Sequence, residues 1–225
     1  MGKYRCGAFA IAMLAGAIGI TATNLASADS VTVQPSGEYA LIDTRLASET
    51  LQVLANASAE DKQKTIAQIK ASPDKYAPPV FYALSSVLFE GGEKDQAAFW
   101  FYAGQLRARF DANRCADISA RESVAALNEE YGTPINEYTL QNLPKLEKLV
   151  LQVIEWDKKT PHNYDHRWIN LHGMNAMISS LGGTGSSSKS RPVSLPKEQW
   201  DEIAETTRVE YLAQFREAMK QAKAQ

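Results

Sequence analysis

Apolar residues follow a helical spacing along the chain from Arg45 onward, and no segment alternates apolar and polar residues as a half-buried strand would. The clearest case has apolar residues at i, i+3, i+4, i+7 and i+8 with charged and polar residues between them: Leu146, Leu149, Val150, Val153 and Ile154. We therefore predict an all-α fold, an irregular helical domain with a long amphipathic helix at its C-terminal end.

Capping and breaking residues place several helix ends. Ser58 followed by Asp61 three residues later is typical of a helix start, and we expect that helix to run to about Ala71. Gly132 is expected to end a later helix, since glycine weakens helix interiors. Thr133 and Pro134 are then expected to begin a new short helix or turn that ends near Gln141.

One predicted helix, from about residue 93 to 112, has apolar residues on most of its faces. Its aromatic residues from Phe99 to Tyr102 are consecutive. Because successive helical residues point about 100° apart, these rings cover nearly the whole circumference. A helix of this kind needs neighbours on several sides, so we expect it to lie at the centre of the domain.

The N-terminal residues 1–28 resemble an export signal. Lys3 and Arg5 precede a small apolar run, and Ala26-Ser27-Ala28 matches the pattern read by signal peptidase. We expect cleavage before Asp29. The alternative is a retained membrane anchor, but the run is shorter than the roughly 20 strongly apolar residues of a spanning helix.

The remaining chain divides into four predicted parts. Residues 29–44 form an extended leader, and residues 45–178 form the helical domain. Residues 179–193 are rich in serine and glycine, which is typical of a flexible linker. Residues 194–225 contain the C-terminal helix, whose thin apolar stripe is expected to pack on the domain. The protein is expected to be exported, periplasmic if the cell has two membranes and otherwise extracellular, with no stable membrane insertion once the signal is removed.

Charge and cysteine content limit the classes of partner and the disulfide bonds that we expect. The formal charge is −2, and loss of Lys3 and Arg5 makes it more negative. This balance gives no reason to expect a nucleic acid or an anionic membrane as partner. Of the two cysteines, Cys6 precedes the cleavage site, so Cys115 has no intramolecular disulfide partner. A buried inert thiol and an intermolecular bridge both remain open for Cys115.

Residues 82–103 carry a pattern of small, leucine, acidic and aromatic positions on either side of Gly91-Gly92: Ala83, Leu84, Asp95, Ala98, Trp100-Phe101 and Ala103. This pattern resembles one Sel1-like repeat, a relative of the tetratricopeptide repeat, over about residues 78–111. The resemblance implies an antiparallel helix pair joined by a glycine-containing turn, and it implies a binding scaffold. The chain shows no second copy.

All three histidines fall in one short segment with other polar and aromatic residues, and this segment is the candidate site: His162, Tyr164, Asp165, His166, Arg167, Trp168 and His172. His162 and His166 are four residues apart, as two zinc ligands on one helical face would be, and His172 could serve as a third ligand through a turn. A metal site, a ligand or partner site and a purely structural connection are the three interpretations.

A run of arginines follows the aromatic helix: Arg107, Arg109, Arg114 and Arg121. The guanidinium group suits recognition of carboxylates and phosphates. However, acidic residues such as Asp111 and Asp117 lie close in sequence. Local ion pairs are therefore the expectation for this set.

The chain contains no nucleophile elbow, phosphate-binding loop or dinucleotide glycine pattern, which favours a non-catalytic protein. The leading hypothesis is an exported helical protein that binds another exported protein, with an immunity or inhibitor protein as one specific form. One alternative is a metal-binding protein or metal-dependent enzyme that uses the three histidines, with zinc as its ion. Another is a protein that binds a small ligand or cell-wall fragment on aromatic surfaces: Trp100, Tyr102, Trp156 and Trp168.

Overall fold

The computed structural model describes residues 37–180 and 192–223. The predicted signal peptide, residues 29–36 of the predicted leader and residues 181–191 of the predicted linker lie outside the described residues. The described part of the leader is not wholly extended, because Gly37–Leu41 forms a 3₁₀ helix.

Eight α-helices make up the described part of the chain: α1 Arg45–Asn56, α2 Ala59–Ala71, α3 Pro78–Glu90, α4 Lys94–Arg114, α5 Glu122–Thr139, α6 Leu143–Lys159, α7 Met174–Ser180 and α8 Trp200–Lys223. Between residues 37 and 180 and between 192 and 223, the one β-type feature is an isolated antiparallel bridge that joins Cys115 and Ser194. The all-α prediction is confirmed. Among these helices, none is long and apolar enough to cross a membrane.

Local signals in the sequence explain several of the helix ends. The Ser58 hydroxyl accepts a hydrogen bond from the Asp61 amide and caps α2, as predicted. Pro78 opens α3 at a position where a missing N–H costs no helical hydrogen bond. Gly92 has a φ of 84°, which a glycine adopts without strain, and it turns the chain from α3 into α4.

Helix α4 lies at the centre of the domain and packs against α3, α5, α6 and α8. Its rings at Trp100, Phe101 and Tyr102 are all buried. The approach of α3 is close, since a Cβ on Gly104 would lie 3.1 Å from the Tyr82 ring. The consecutive aromatic residues thus mark a helix that is enclosed on several sides.

Helix α5 corrects one predicted break. It continues from Glu122 to Thr139 through both Gly132 and Pro134. A Cβ on Gly132 would lie 3.2 Å from the tip of the Phe101 ring. The glycine therefore provides space for the neighbouring helix to approach and does not end α5.

Helix α8 packs on the body through a stripe of buried residues that includes Thr207, Tyr211 and Met219. The Tyr211 hydroxyl donates a hydrogen bond to Oε1 of Gln105 on α4 at 2.7 Å. The helix begins at Trp200, after a short 3₁₀ turn at Lys197–Gln199. The C-terminal helix is therefore part of the same packed body.

Cys115 follows the end of α4 and is 4% exposed. Its thiol donates a weak hydrogen bond to the Asp117 carbonyl at 3.4 Å. Burial raises the pKa of Cys115 to about 11. The folded protein therefore holds this cysteine as a protonated thiol with little nucleophilic character.

Candidate functional site

The histidine-rich segment connects α6 to α7 and includes a 3₁₀ helix at His166–His172. It packs beside α4 and is fastened by two buried carboxylates, those of Asp111 on α4 and Asp157 on α6. Each carboxylate accepts hydrogen bonds from residues that are far away in the sequence. Three of the seven predicted site residues take part in these contacts: His162, Tyr164 and Trp168.

Asp157 is 4% exposed and accepts hydrogen bonds from three basic side chains. Arg107 Nε lies 3.0 Å from Oδ1, and His162 Nε2 lies 3.0 Å from the same oxygen. Arg208 of α8 donates from Nε to Oδ2 at 2.9 Å. Arg107 is itself 0% exposed, donates to the Thr160 carbonyl and stacks on the Trp156 ring. This Asp157 cluster joins α4, α6, the connection and α8.

The charges around Asp157 determine its ionisation. Burial by itself raises the pKa of Asp157, but the hydrogen bond to His162 and the charges of His162, Arg107 and Arg208 outweigh burial and hold it at about 2. The ordinary value is 3.8. The resulting stabilisation is therefore fully present above pH 3.8 and is lost as the pH falls toward 2.

Asp111 is on α4 and is 0% exposed, and it holds the histidine-rich connection against that helix. It accepts hydrogen bonds from Arg114 Nη2 at 2.6 Å, from the Tyr164 hydroxyl at 3.0 Å and from Trp168 Nε1 at 2.7 Å. The Arg114 guanidinium lies over the Trp200 ring at 4.7 Å. Two of the predicted site residues, Tyr164 and Trp168, thus serve as donors to one buried carboxylate.

The other two histidines contact different partners. His166 Nε2 lies 2.8 Å from the Ser194 hydroxyl, and its ring packs against Trp200 with 4.6 Å between centroids. His172 packs against the Trp168 ring. Burial, and next the charge of Arg114, lower the pKa of His166 to about 4, and burial also lowers the pKa of His172. Both rings are therefore neutral at pH 7.

The three histidines do not converge on one point. Within the described ranges, no group of three or more histidine, cysteine, aspartate or glutamate residues is placed to hold a metal ion. His162 contacts an aspartate, His166 a serine and His172 an indole. The structural interpretation accounts for each of these contacts.

The depressed pKa of His166 predicts a stability change in mild acid. The unfolded imidazole gains its proton near pH 6.5, whereas the folded one gains it near pH 4. The free energy of unfolding should therefore fall by about 2 kcal/mol between pH 6.5 and 4, after a discount for partial solvent access. Urea titrations across this range measure the slope.

The matched comparison for that slope is the His166→Gln variant, which keeps a polar partner for Ser194 but has no titrating ring. Its slope between pH 6.5 and 4 should be clearly smaller than that of the wild type. A variant with an unchanged slope would contradict the assignment. The remaining slope includes the contribution of His172, whose pKa is also lowered.

Asp165 and Arg167 tie the connection to the N-terminal residues. Arg167 donates from Nε and Nη2 to the Asp165 carboxylate at 2.8 and 2.6 Å, and also to the Leu41 carbonyl at 3.2 Å. The Asp43 amide donates to Asp165 at 3.0 Å. A cleft of about 250 Å³ lies beside these contacts, and its lining includes Asp43, Thr44, Lys75, Tyr164, Asp165 and Trp168.

The aromatic residues considered for ligand stacking belong to the packed interior. Trp100, Tyr102 and Trp168 are between 4% and 6% exposed. Trp156 packs edge-on against Trp100 with 5.7 Å between centroids and carries the Arg107 guanidinium on its face. Tyr102 also hydrogen-bonds to Thr139 and packs against Phe215, and Trp168 donates to Asp111.

The prediction of local ion pairs for the arginine run holds for one member and fails for another. Arg114 pairs with Asp111, three residues away. Arg107 instead pairs with Asp157, fifty residues away. Spacing along one helix cannot reveal a partner on another helix.

Sequence reasoning also missed an exposed apolar surface formed by α7 and the 3₁₀ turn at Ile118–Arg121. We call it the methionine surface and define it by four residues with their exposed fractions: Ile118 69%, Met174 55%, Met177 55% and Ile178 47%. Backbone amides hold the two elements together. The Met174 amide donates to the Ser119 hydroxyl at 2.8 Å and the Asn175 amide to Asp117 Oδ2 at 2.9 Å. The sequence signal for this surface is the presence of two methionines in one short helix.

The chain matches no protein-family model, no curated protein and no solved structure. The antiparallel pair α3–α4 with its glycine turn is compatible with the Sel1-like pattern, but no repeat is identified by a match.

Proposed function

We propose that this protein is an exported, non-catalytic helical protein that binds another exported protein through the methionine surface. The observation that carries the proposal is the cluster of four large apolar side chains that remain exposed on a well-packed body. Exposed apolar patches mark interaction sites on soluble proteins. The N-terminal basic, apolar and Ala26-Ser27-Ala28 segments support export.

The side chains on the methionine surface suit protein recognition. Methionine is unbranched and polarizable, so it adapts to differently shaped apolar partners. The surface is also fixed in position, because Asp117 and Ser119 hold the first turn of α7. A partner with an exposed apolar helix or loop would bury these residues. Little conformational entropy would be lost on binding, because the surface is already ordered.

The histidine-rich connection supports a binding role over a catalytic one. Its candidate acid, base and ligand groups are engaged in contacts within the protein, above all with Asp111 and Asp157. The resemblance of α3 and α4 to a Sel1-like pair favours the same conclusion, since that resemblance implies a binding scaffold. An immunity or inhibitor protein is the specific form that these features support.

The test is retention of a partner by the purified protein and two matched variants. Met177→Asp places a charge in the methionine surface, whereas Val209→Asp places one at an equally exposed position on α8, where Val209 is 60% exposed. We expect wild type and Val209→Asp to retain one envelope protein in a stoichiometric complex. Met177→Asp should weaken that complex about tenfold or more, because a buried charge is costly.

A photo-crosslinking amino acid at position 177 provides a second readout. It should label the same partner, and unlabelled wild-type protein should compete for that labelling. The proposal is overturned if no stoichiometric partner is retained, or if the two aspartate variants bind it equally well. Thermal unfolding of both variants checks that each one is folded.

A further inference from the structure

A second cleft, separate from the histidine-rich connection, lies between α3 and α5. Its volume of about 390 Å³ falls within the roughly 300–1,000 Å³ range of ligand pockets. The Tyr82 hydroxyl donates to Asn128 Oδ1 at 2.8 Å and ties the two helices together beside it. The residues of its lining that matter here are apolar, aromatic or acidic: Phe89, Glu90, Glu130, Tyr131, Pro134 and Ile135.

The polar groups of this cleft are mainly acceptors. Glu90 and Glu130 are both exposed, and no lysine or arginine is among the lining residues. The Ser86 hydroxyl lies 3.4 Å from Glu90 Oε1, so its proton is directed toward that carboxylate. The cleft therefore offers negative charge and has few donors of its own.

Pro134 interrupts the regular hydrogen bonding of α5 beside this cleft. Proline has no N–H, so the carbonyl four residues earlier, that of Glu130, receives no amide hydrogen bond from residue 134. Helix α5 nevertheless continues past this position. Glu130 therefore contributes its carboxylate to the lining, and Pro134 contributes an apolar ring and no N–H donor.

Aromatic side chains complete the lining. Phe89 and Tyr131 are partly exposed, and aromatic faces attract cations. The same chemistry is already visible next to the cleft, where Lys94 Nζ lies 5.3 Å from the centroid of the Phe89 ring and 5.6 Å from that of Tyr138. Carboxylates and aromatic rings together form a suitable environment for a planar cation.

We propose that the α3–α5 cleft binds the guanidinium group of an arginine side chain in a peptide. The planar guanidinium stacks on the aromatic lining while its N–H groups donate to the carboxylates of Glu90 and Glu130. The compact ammonium group of lysine makes fewer of these contacts at once. This site does not depend on the methionine surface, and its test is independent of the proposed function.

The experiment is an NMR titration of the isotope-labelled protein with the peptide acetyl-Gly-Arg-Gly-amide. The control peptide replaces arginine by citrulline, which has the same shape without the charge. We expect saturable amide shifts at residues 86–90 and 130–135 with the arginine peptide. The citrulline peptide should bind about tenfold more weakly or not at all, since it lacks the charge-assisted hydrogen bonds.

Two charge-matched double variants localise the effect. Glu90→Gln with Glu130→Gln removes both carboxylates of the cleft and should weaken arginine-peptide binding about tenfold. Glu129→Gln with Glu137→Gln removes the same net charge from exposed positions of α5 outside the lining and should leave binding unchanged. Equal loss in both, equal binding of both peptides or the absence of saturable shifts at the cleft would each overturn the proposal.

Discussion

Replacing Asp157 by asparagine should lower the free energy of unfolding by about 3–5 kcal/mol, the cost of breaking a buried ion pair by removing one partner. Arg107 is 0% exposed and would keep its charge without the carboxylate that balances it. Asparagine keeps one acceptor oxygen, but its amide group would face a donor, either Arg208 or the pair His162 and Arg107. Urea denaturation of the variant and the wild type measures the difference.

Two further variants separate this effect from other causes. Glu155→Gln removes an exposed carboxylate from the same helix, where Glu155 pairs with Lys158, and should change stability by about 0.5 kcal/mol or less. The double variant Arg107→Met with Asp157→Asn should be less unstable than the sum of the two single variants, because the uncompensated buried charge is then gone. An Asp157→Asn protein as stable as Glu155→Gln would refute the role of this carboxylate.

The second large effect is expected at Asp111, where asparagine should cost about 3 kcal/mol. The carboxylate accepts from Arg114, Tyr164 and Trp168, and all three are donors. An asparagine keeps one acceptor oxygen but introduces an amide that faces the same donors. Chemical denaturation followed by circular dichroism gives the loss, and fluorescence of the buried indoles reports whether the connection has loosened.

Asp95→Asn is the matched control for Asp111, since Asp95 is on the same helix but pairs with Lys145 at the surface. Its cost should stay at or below about 1 kcal/mol, as is typical of exposed ion pairs. Similar losses at both positions would show that burial of Asp111 does not set its contribution. A loss confined to Asp111 supports its role as the anchor of the connection.

Periodicity and capping residues predict the elements that depend on local sequence. The Ser58 cap and the apolar stripe of α6 from Leu146 to Ile154 both give helices where expected. The predicted helix end at Gly132 is wrong because the role of this glycine depends on a residue of another helix. The glycine lies against the Phe101 ring, and a sequence pattern does not distinguish a close approach from a helix end.

The candidate site shows the same division between local and distant information. The segment from His162 to His172 concentrates polar and aromatic residues, which is a property of the sequence itself. Its partners, however, come from α4, α6 and residue Ser194. Those contacts arise from the packing of helices that are far apart in sequence, so residue types and spacing alone could not give them.

The central position of α4 has a consequence for the order of folding. Its contacts with α3 are local in sequence, whereas those with α8 join residues about a hundred positions apart, such as Gln105 and Tyr211. Contacts close in sequence form faster than distant ones, so the α3–α4 pair should nucleate the domain and α8 should dock last. Until α8 docks, Asp157 lacks Arg208, and one side of the central helix stays open to water. A protease would therefore find its earliest opportunity at the C-terminal helix.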